Sequence, residues 1–218
     1  MNKLKIGKIR RKSITVSTND LVEVTPLSNL QSLPILITPS VPDLDLISWA
    51  NNHQNLIQEK LLKFGGIILR TCQVDQLEKF EQFIKSTSDR KLLSYQDGSS
   101  PRTLLQDNIY TSTDYPASQT IFLHSELSYA STYPLKIYFH CVKSADQGGE
   151  TPIADTRKIY RRLSLEIRDR FAEKQVMYVR NFGAGLGIPW QQAFETSSKS
   201  AVEQYCQNNG IVMVWGDN

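Results

Sequence analysis

The chain has 218 residues, 40% apolar and 22% charged, a balance that permits one sizeable core and excludes a disordered or fibrous protein. Its formal charge of +3 is uneven: six of the 25 basic residues lie between Lys3 and Lys12, leaving 19 basic against 22 acidic beyond them. No apolar run reaches signal-peptide or membrane-span length, and Cys72, Cys141 and Cys206, odd in number and without a C-x-x-C pair, exclude a disulfide framework and a structural zinc site. The chain therefore reads as a cytoplasmic soluble protein, with no membrane partner and with its cysteines as buried or half-buried thiols.

Residues 1–12 read as a basic, flexible N-terminus. They could meet nucleic acid, but they carry no aromatic residue or attached binding motif, so no nucleic-acid partner is expected. Residues 13–218 read as one domain. Ile14-Thr15-Val16 and Leu21 to Val24 have the composition of short strands, and the Pro-punctuated stretch from Leu33 to Asp43 reads as extended chain. Asp45 can cap a helix with Leu46, Trp49, Ala50, Ile57, Leu61 and Phe64 on one stripe, which Gly65-Gly66 ends before a strand Ile67 to Leu69. A second amphipathic helix fits Val74 to Lys85, and polar and turn residues then predict a long loop from Ser86 to about Gln119.

Further strands are predicted at Thr120 to Leu123 and Ile137 to Val142. Asp155 or Thr156 can cap a charged helix reaching Lys174, broken near Ser164, whose hydroxyl can cap its second part. After a strand Val176 to Arg180, the glycine-rich segment Asn181 to Gly187 lacks the strand-turn-helix setting of a nucleotide loop. A helix near Ser198 to Gln207, stopped by Gly210, and a strand Ile211 to Trp215 complete the pattern.

Two segments carry chemistry. Residues at i and i+2 of a strand share a face, so His124 and Glu126 project together and could hold one metal ion. Non-haem Fe(II) sites use two histidines and one carboxylate, and no histidine follows His140. By itself H-x-E is a frequent triplet, and a surface histidine beside a carboxylate is the plainer reading. In Gly148-Gly149-Glu150-Thr151-Pro152 the glycines permit φ > 0 and Thr151 offers a hydroxyl to an anion, although a tight turn between strands explains the same residues. His53 reads as a satisfied helix residue, His140 as a strand residue and not a ligand, and Arg102 as a solvated loop arginine. Cys141 follows His140, but neighbouring strand residues face opposite ways, so no Cys/His pair is expected.

Taken together, Leu123-His124-Ser125-Glu126-Leu127-Ser128-Tyr129, Tyr133-Pro134 and Gln147 to Asp155 resemble the TauD/TfdA family of Fe(II)- and 2-oxoglutarate-dependent dioxygenases. Phe64 to Arg70, Pro101-Arg102-Thr103, Tyr110 to Thr113 and Met177 to Gly183 extend the likeness over about residues 13–218. It looks nearest to the SyrP-like branch, in which Glu replaces Asp as the carboxylate ligand. The resemblance implies a double-stranded β-helix of clavaminate synthase-like type, a jelly roll in a mixed α and β chain with flanking helices. It further implies His124 and Glu126 as Fe(II) ligands and Thr151 as a hydrogen-bond donor to 2-oxoglutarate. The implied substrate is small, amino-acid-like or a natural product, as in antibiotic biosynthesis.

The family's second metal histidine and its 2-oxoglutarate arginine belong to C-terminal strands beyond the position of Trp215. With Asn218 the last residue, those strands are expected to be missing. A separately encoded C-terminal half or a homo-oligomer would then be the partner. The alternative is a non-catalytic truncated remnant.

Overall fold

A computed structural model describes residues 21–28, 31–95, 98, 100–114, 116, 118–183, 185 and 187–216, and for residues 31 and 32 only the backbone. The basic N-terminus and the strand predicted at Ile14 to Val16 lie outside the described residues. The chain is a mixed α and β protein with small sheets, dividing into two compact units, Met1–Lys79 and Phe80–Asn218.

In the first unit, β1 (Val22–Ser28) runs antiparallel to β2 (Gln31–Pro39), and β2 runs parallel to β3 (Ile67–Leu69), giving the order β1-β2-β3. A parallel neighbour needs a long crossover. Here α1 (Leu46–Asn52) and α2 (Gln54–Phe64) supply it. Period-2 alternation puts Ile35 and Ile37 on the covered face of β2, at 2% and 1% exposure, and Leu46, Trp49 and Ala50 of α1 are buried as well. Asp45 accepts from the Ile47 and Ser48 amides, as its place before the apolar stripe predicts.

The single helix expected from Leu46 to Phe64 is in fact two. His53 leaves helical geometry at φ −126° and ψ 26°, after Asn51 and Asn52, whose side chains compete with the backbone for hydrogen bonds. Gly65 then ends α2 at φ 81°, its N–H donating to the Leu61 carbonyl.

Helix α3 (Leu77–Thr87) leads into the second unit, where Phe80, Phe83, Ile84 and Thr87 are buried. The long loop predicted after it contains a hairpin, β4 (Leu104–Gln106) with β5 (Ile109–Tyr110), turned by Asp107 and Asn108 at φ 41° and 63°. Asp and Asn tolerate positive φ, so this two-residue turn was readable from the sequence and was missed. Helices α4 (Thr156–Arg162) and α5 (Leu165–Lys174) break where expected, capped by Asp155 and Ser164. After α6 (Trp190–Ala193), α7 (Lys199–Asn208) is capped by Ser198. It contributes Val202 and Cys206 to a cluster with Ala193 and Phe194, flanked by Trp190, Tyr205, Met213 and Trp215.

The jelly-roll strands are where the structure departs most from the sequence reading. Segments 120–123, 137–142, 176–180 and 211–215 have no strand ladder among the described residues. The alternation of a strand nevertheless survives in three of them. Lys136, Tyr138 and His140 turn toward α3: Lys136 donates to the Thr87 carbonyl, Tyr138 meets the Thr87 hydroxyl and the Phe83 ring, and His140 stacks on Phe80. Leu135, Ile137 and Phe139 between them are exposed. Likewise Arg180 packs on Tyr129, which the 55%-exposed Tyr178 meets edge-on, while Met177 and Val179 are more exposed still, and Met213 and Trp215 pack on the α7 cluster while Val212 and Val214 are exposed. A strand is assigned only where a neighbour accepts and donates its backbone hydrogen bonds. Alternation fixes which side chains share a side but supplies no neighbour.

Candidate functional site

His124 lies in an extended segment and Glu126 opens the turn 126–129, which Leu127 anchors by its 8% exposure and positive φ of 51°. The chain brings the imidazole and the carboxylate together across one intervening residue. His124 Nε2 stands 3.8 Å from Glu126 Oε2. Two metal–ligand bonds of about 2.1 Å each can span roughly 4.2 Å, so one ion can touch both atoms.

The other imidazole nitrogen is committed. His124 Nδ1 is 2.7 Å from the Phe122 carbonyl oxygen. A carbonyl only accepts, so Nδ1 is the donor in that contact and Nε2 is the ring nitrogen left facing Glu126. This is the outer-sphere contact that orients a metal-binding histidine. The donor set fits a divalent transition ion as two of its ligands. Among the described residues no third His, Cys, Asp or Glu completes it.

Arg102 is the residue sequence reasoning placed wrongly. Its side chain is only 18% exposed, and its Nη2 is 3.5 Å from Glu126 Oε1. The guanidinium lies 4.7 Å from the centre of the Tyr95 ring, and the Tyr95 hydroxyl is bonded to Ser100 Oγ at 3.2 Å. Both chain neighbours of Arg102 are held: Pro101 accepts from the Asp114 amide, and Thr103 is bonded to Thr111 and Asp114. An Arg between Pro and Thr in a polar loop gives no sign of such pinning in sequence. The hairpin turn at Asp107-Asn108, which folds residue 111 back onto 103, was the available signal.

Thr151 is exposed and has no hydrogen-bond partner among the described residues. The turn before it has the expected backbone, with Gly148 at φ 68° and Gly149 at φ 79°. A Cβ on Gly149 would come within 2.8 Å of Ala145 Cβ, so glycine is required there on two counts. Neither of two surface hollows, a 260 Å³ one lined by Pro39 to Leu44 with Thr71 and Gln73 and a 300 Å³ one beside α7, includes His124, Glu126 or Thr151.

The other histidines behave as non-ligands. His53 Nδ1 is 2.6 Å from the Trp49 carbonyl and its ring stacks on Trp49, while His140 packs on Phe80. Cys206 is buried and Cys72 half-buried, and burial pushes the Cys72 thiol pKa up. Cys141 departs from expectation in being exposed, on the side of its segment opposite His140. The described residues contain no helix long and apolar enough to cross a membrane.

A carboxylate and an oriented imidazole two residues apart, on extended chain ahead of a tight turn, define a candidate metal-binding protein of mixed α and β structure. The model of the family described as "Taurine catabolism dioxygenase TauD, TfdA family" matches residues 23–212, and the chain belongs to that family. It is similar to the dapdiamide synthesis protein DdaC of Enterobacter agglomerans, 36% identical over 180 residues that cover 83% of this chain and 54% of that protein. It is also similar to a clavaminate synthase-like protein of Arabidopsis thaliana, 27% identical over 202 residues, covering 85% of this chain and 61% of the relative. The chain thus spans little more than half the length of these relatives.

Proposed function

We propose that this chain carries the first part of the active site of an Fe(II)- and 2-oxoglutarate-dependent dioxygenase, a hydroxylase of a small amino-acid-like or natural-product substrate. The observation that carries the reading is the His124 Nε2 to Glu126 Oε2 approach at 3.8 Å, with Nδ1 tied to the Phe122 carbonyl. Membership in the family supports it, and a relative named for dapdiamide synthesis supports a biosynthetic substrate. When bound, Fe(II) and 2-oxoglutarate would allow dioxygen to act as the oxidant, one of its oxygen atoms entering succinate as 2-oxoglutarate loses carbon dioxide and the other hydroxylating an unactivated C–H bond.

The chain's own residues have definite parts in this reading. His124 offers Nε2 and Glu126 offers Oε2 to the metal, and the Phe122 carbonyl keeps the imidazole in the correct tautomer. Thr151, after the Gly148-Gly149 turn, donates its hydroxyl to a 2-oxoglutarate carboxylate. A third metal donor and a cation for the far carboxylate come from residues outside the described set. In a jelly roll, the bare apolar faces at Ile137 and Phe139, Met177 and Val179, and Val212 and Val214 would lie against further strands.

A titration with Fe(II) under anaerobic conditions tests the metal reading. Wild type is expected to bind at least about tenfold more tightly than His124→Ala or Glu126→Ala. Equal, weak binding by all three would sink it. The alternative is a non-catalytic remnant of such an enzyme. It requires that no addition, including a candidate second half, ever yields succinate.

A further inference from the structure

The two oxygens of Glu126 face different partners. Oε2 looks toward His124 Nε2 at 3.8 Å, and Oε1 looks toward Arg102 Nη2 at 3.5 Å. We propose that Arg102 is a positioning residue that holds the Glu126 carboxylate with Oε1 turned away, so that Oε2 alone faces the metal. This rests on the reading of His124 and Glu126 as metal ligands and adds a function for a side chain outside that pair.

Three observations carry it. First, Arg102 is itself fixed before any metal arrives, by the Tyr95 ring beneath its guanidinium and by the hydrogen bonds that pin Pro101 and Thr103 to residues 111 and 114. A restraint must be stiffer than what it restrains. Second, Glu126 is only 20% exposed, so water does not freely replace the arginine at Oε1. Third, 3.5 Å is longer than the 2.7–2.9 Å of a tight charge-assisted hydrogen bond. A tight pair would compete with the metal for the carboxylate charge, whereas this loose one sets orientation and leaves Oε2 available.

The glutamate otherwise has three rotatable bonds and could swing either oxygen, or both, toward the ion. Removing the restraint returns that freedom to the unbound state, and outer-sphere partners of metal ligands typically matter by 10- to 100-fold in affinity. A simple electrostatic role predicts the opposite sign, because removing a cation near a dication site tightens metal binding.

The experiment is a Co(II) titration of the full chain by calorimetry in a double-mutant cycle of Arg102→Gln and Glu126→Ala, with His124→Ala as control and urea unfolding of each metal-free variant. Arg102→Gln should weaken Co(II) binding about tenfold or more in the wild-type background and by less than about twofold in the Glu126→Ala background. Arg102→Lys, which keeps a cation within reach of Oε1, should recover most of the affinity, and Arg102→Met, which keeps the apolar stem on Tyr95 without the cation, serves in place of the Gln variant if that one unfolds. Unchanged or tighter binding in Arg102→Gln, or equal weakening in both backgrounds, overturns the proposal. If wild type and His124→Ala bind Co(II) alike, the metal reading itself has failed.

Discussion

The alternation in segment 135–142 makes opposite demands on neighbouring residues, and substitutions can separate them. Phe139 is 68% exposed, while Phe83, against which Tyr138 packs edge-on, is 8% exposed. Full burial of a phenylalanine side chain contributes about 1.5–3 kcal/mol, so the third of Phe139 that is covered contributes less than about 1 kcal/mol. Phe83→Ala empties a packed position and should cost about 3–5 kcal/mol. Between them, Tyr138→Phe removes the hydroxyl contact with Thr87 at a cost of about 1 kcal/mol, since Thr87 Oγ1 still donates to the Phe83 carbonyl. Urea unfolding followed by the fluorescence of Trp190 and Trp215 measures all three. Phe139→Ser should keep the wild-type midpoint within experimental spread and raise solubility. Were Phe139→Ser to cost as much as Phe83→Ala, the outward face would be core, and the case for a covering strand would collapse.

Other outcomes follow from single contacts. Ser198→Ala removes the acceptor of the Ala201 amide at the start of α7, whose Val202 and Cys206 anchor the cluster beneath Trp215. It should lower stability by about 1 kcal/mol, and Ser198→Asp should restore it. Gly148→Ala meets only the positive-φ penalty of roughly 1–2 kcal/mol, its nearest neighbour being 3.9 Å away. Gly149→Ala meets the same penalty plus the 2.8 Å approach to Ala145, so it should be the more destabilising of the two, and equal unfolding midpoints would remove the close approach as a constraint. The Ser48 hydroxyl, and after it the Ser48 amide, hold the Asp45 carboxyl below the usual carboxylate range. The folded value is the lower one, so this cap contribution is present above the ordinary carboxylate pKa and is lost as pH falls through the depressed value. Solvent exchange of the Ile47 and Ser48 amides, corrected for its intrinsic pH dependence, should lose protection in that acid window; protection that is flat with pH would contradict the cap assignment.

The sequence by itself determined what depends on near neighbours. Helix ends at Asp45, Gly65, Ser164 and Ser198 were readable because a cap is satisfied by amides two or three residues away or by one positive φ. The meeting of His124 and Glu126 was readable because only one residue separates them, whether or not a ladder forms. Motif order carried the family for the same reason, since each motif is a contiguous string. Tertiary structure decided the rest. The break at His53, after Asn51 and Asn52, is not announced by the apolar stripe that runs through it. The turn at Asp107-Asn108 that folds residues 111 and 114 back onto 101 and 103 was legible in the sequence, but the approach of Arg102 to Glu126 is one that no local pattern encodes. The four segments read as strands show the boundary between the two kinds of information. Alternation set Tyr138 and His140 on one side and the more apolar Ile137 and Phe139 on the other, but which side is covered depends on the neighbour present, and a strand also requires a second backbone alongside it to accept and donate its hydrogen bonds.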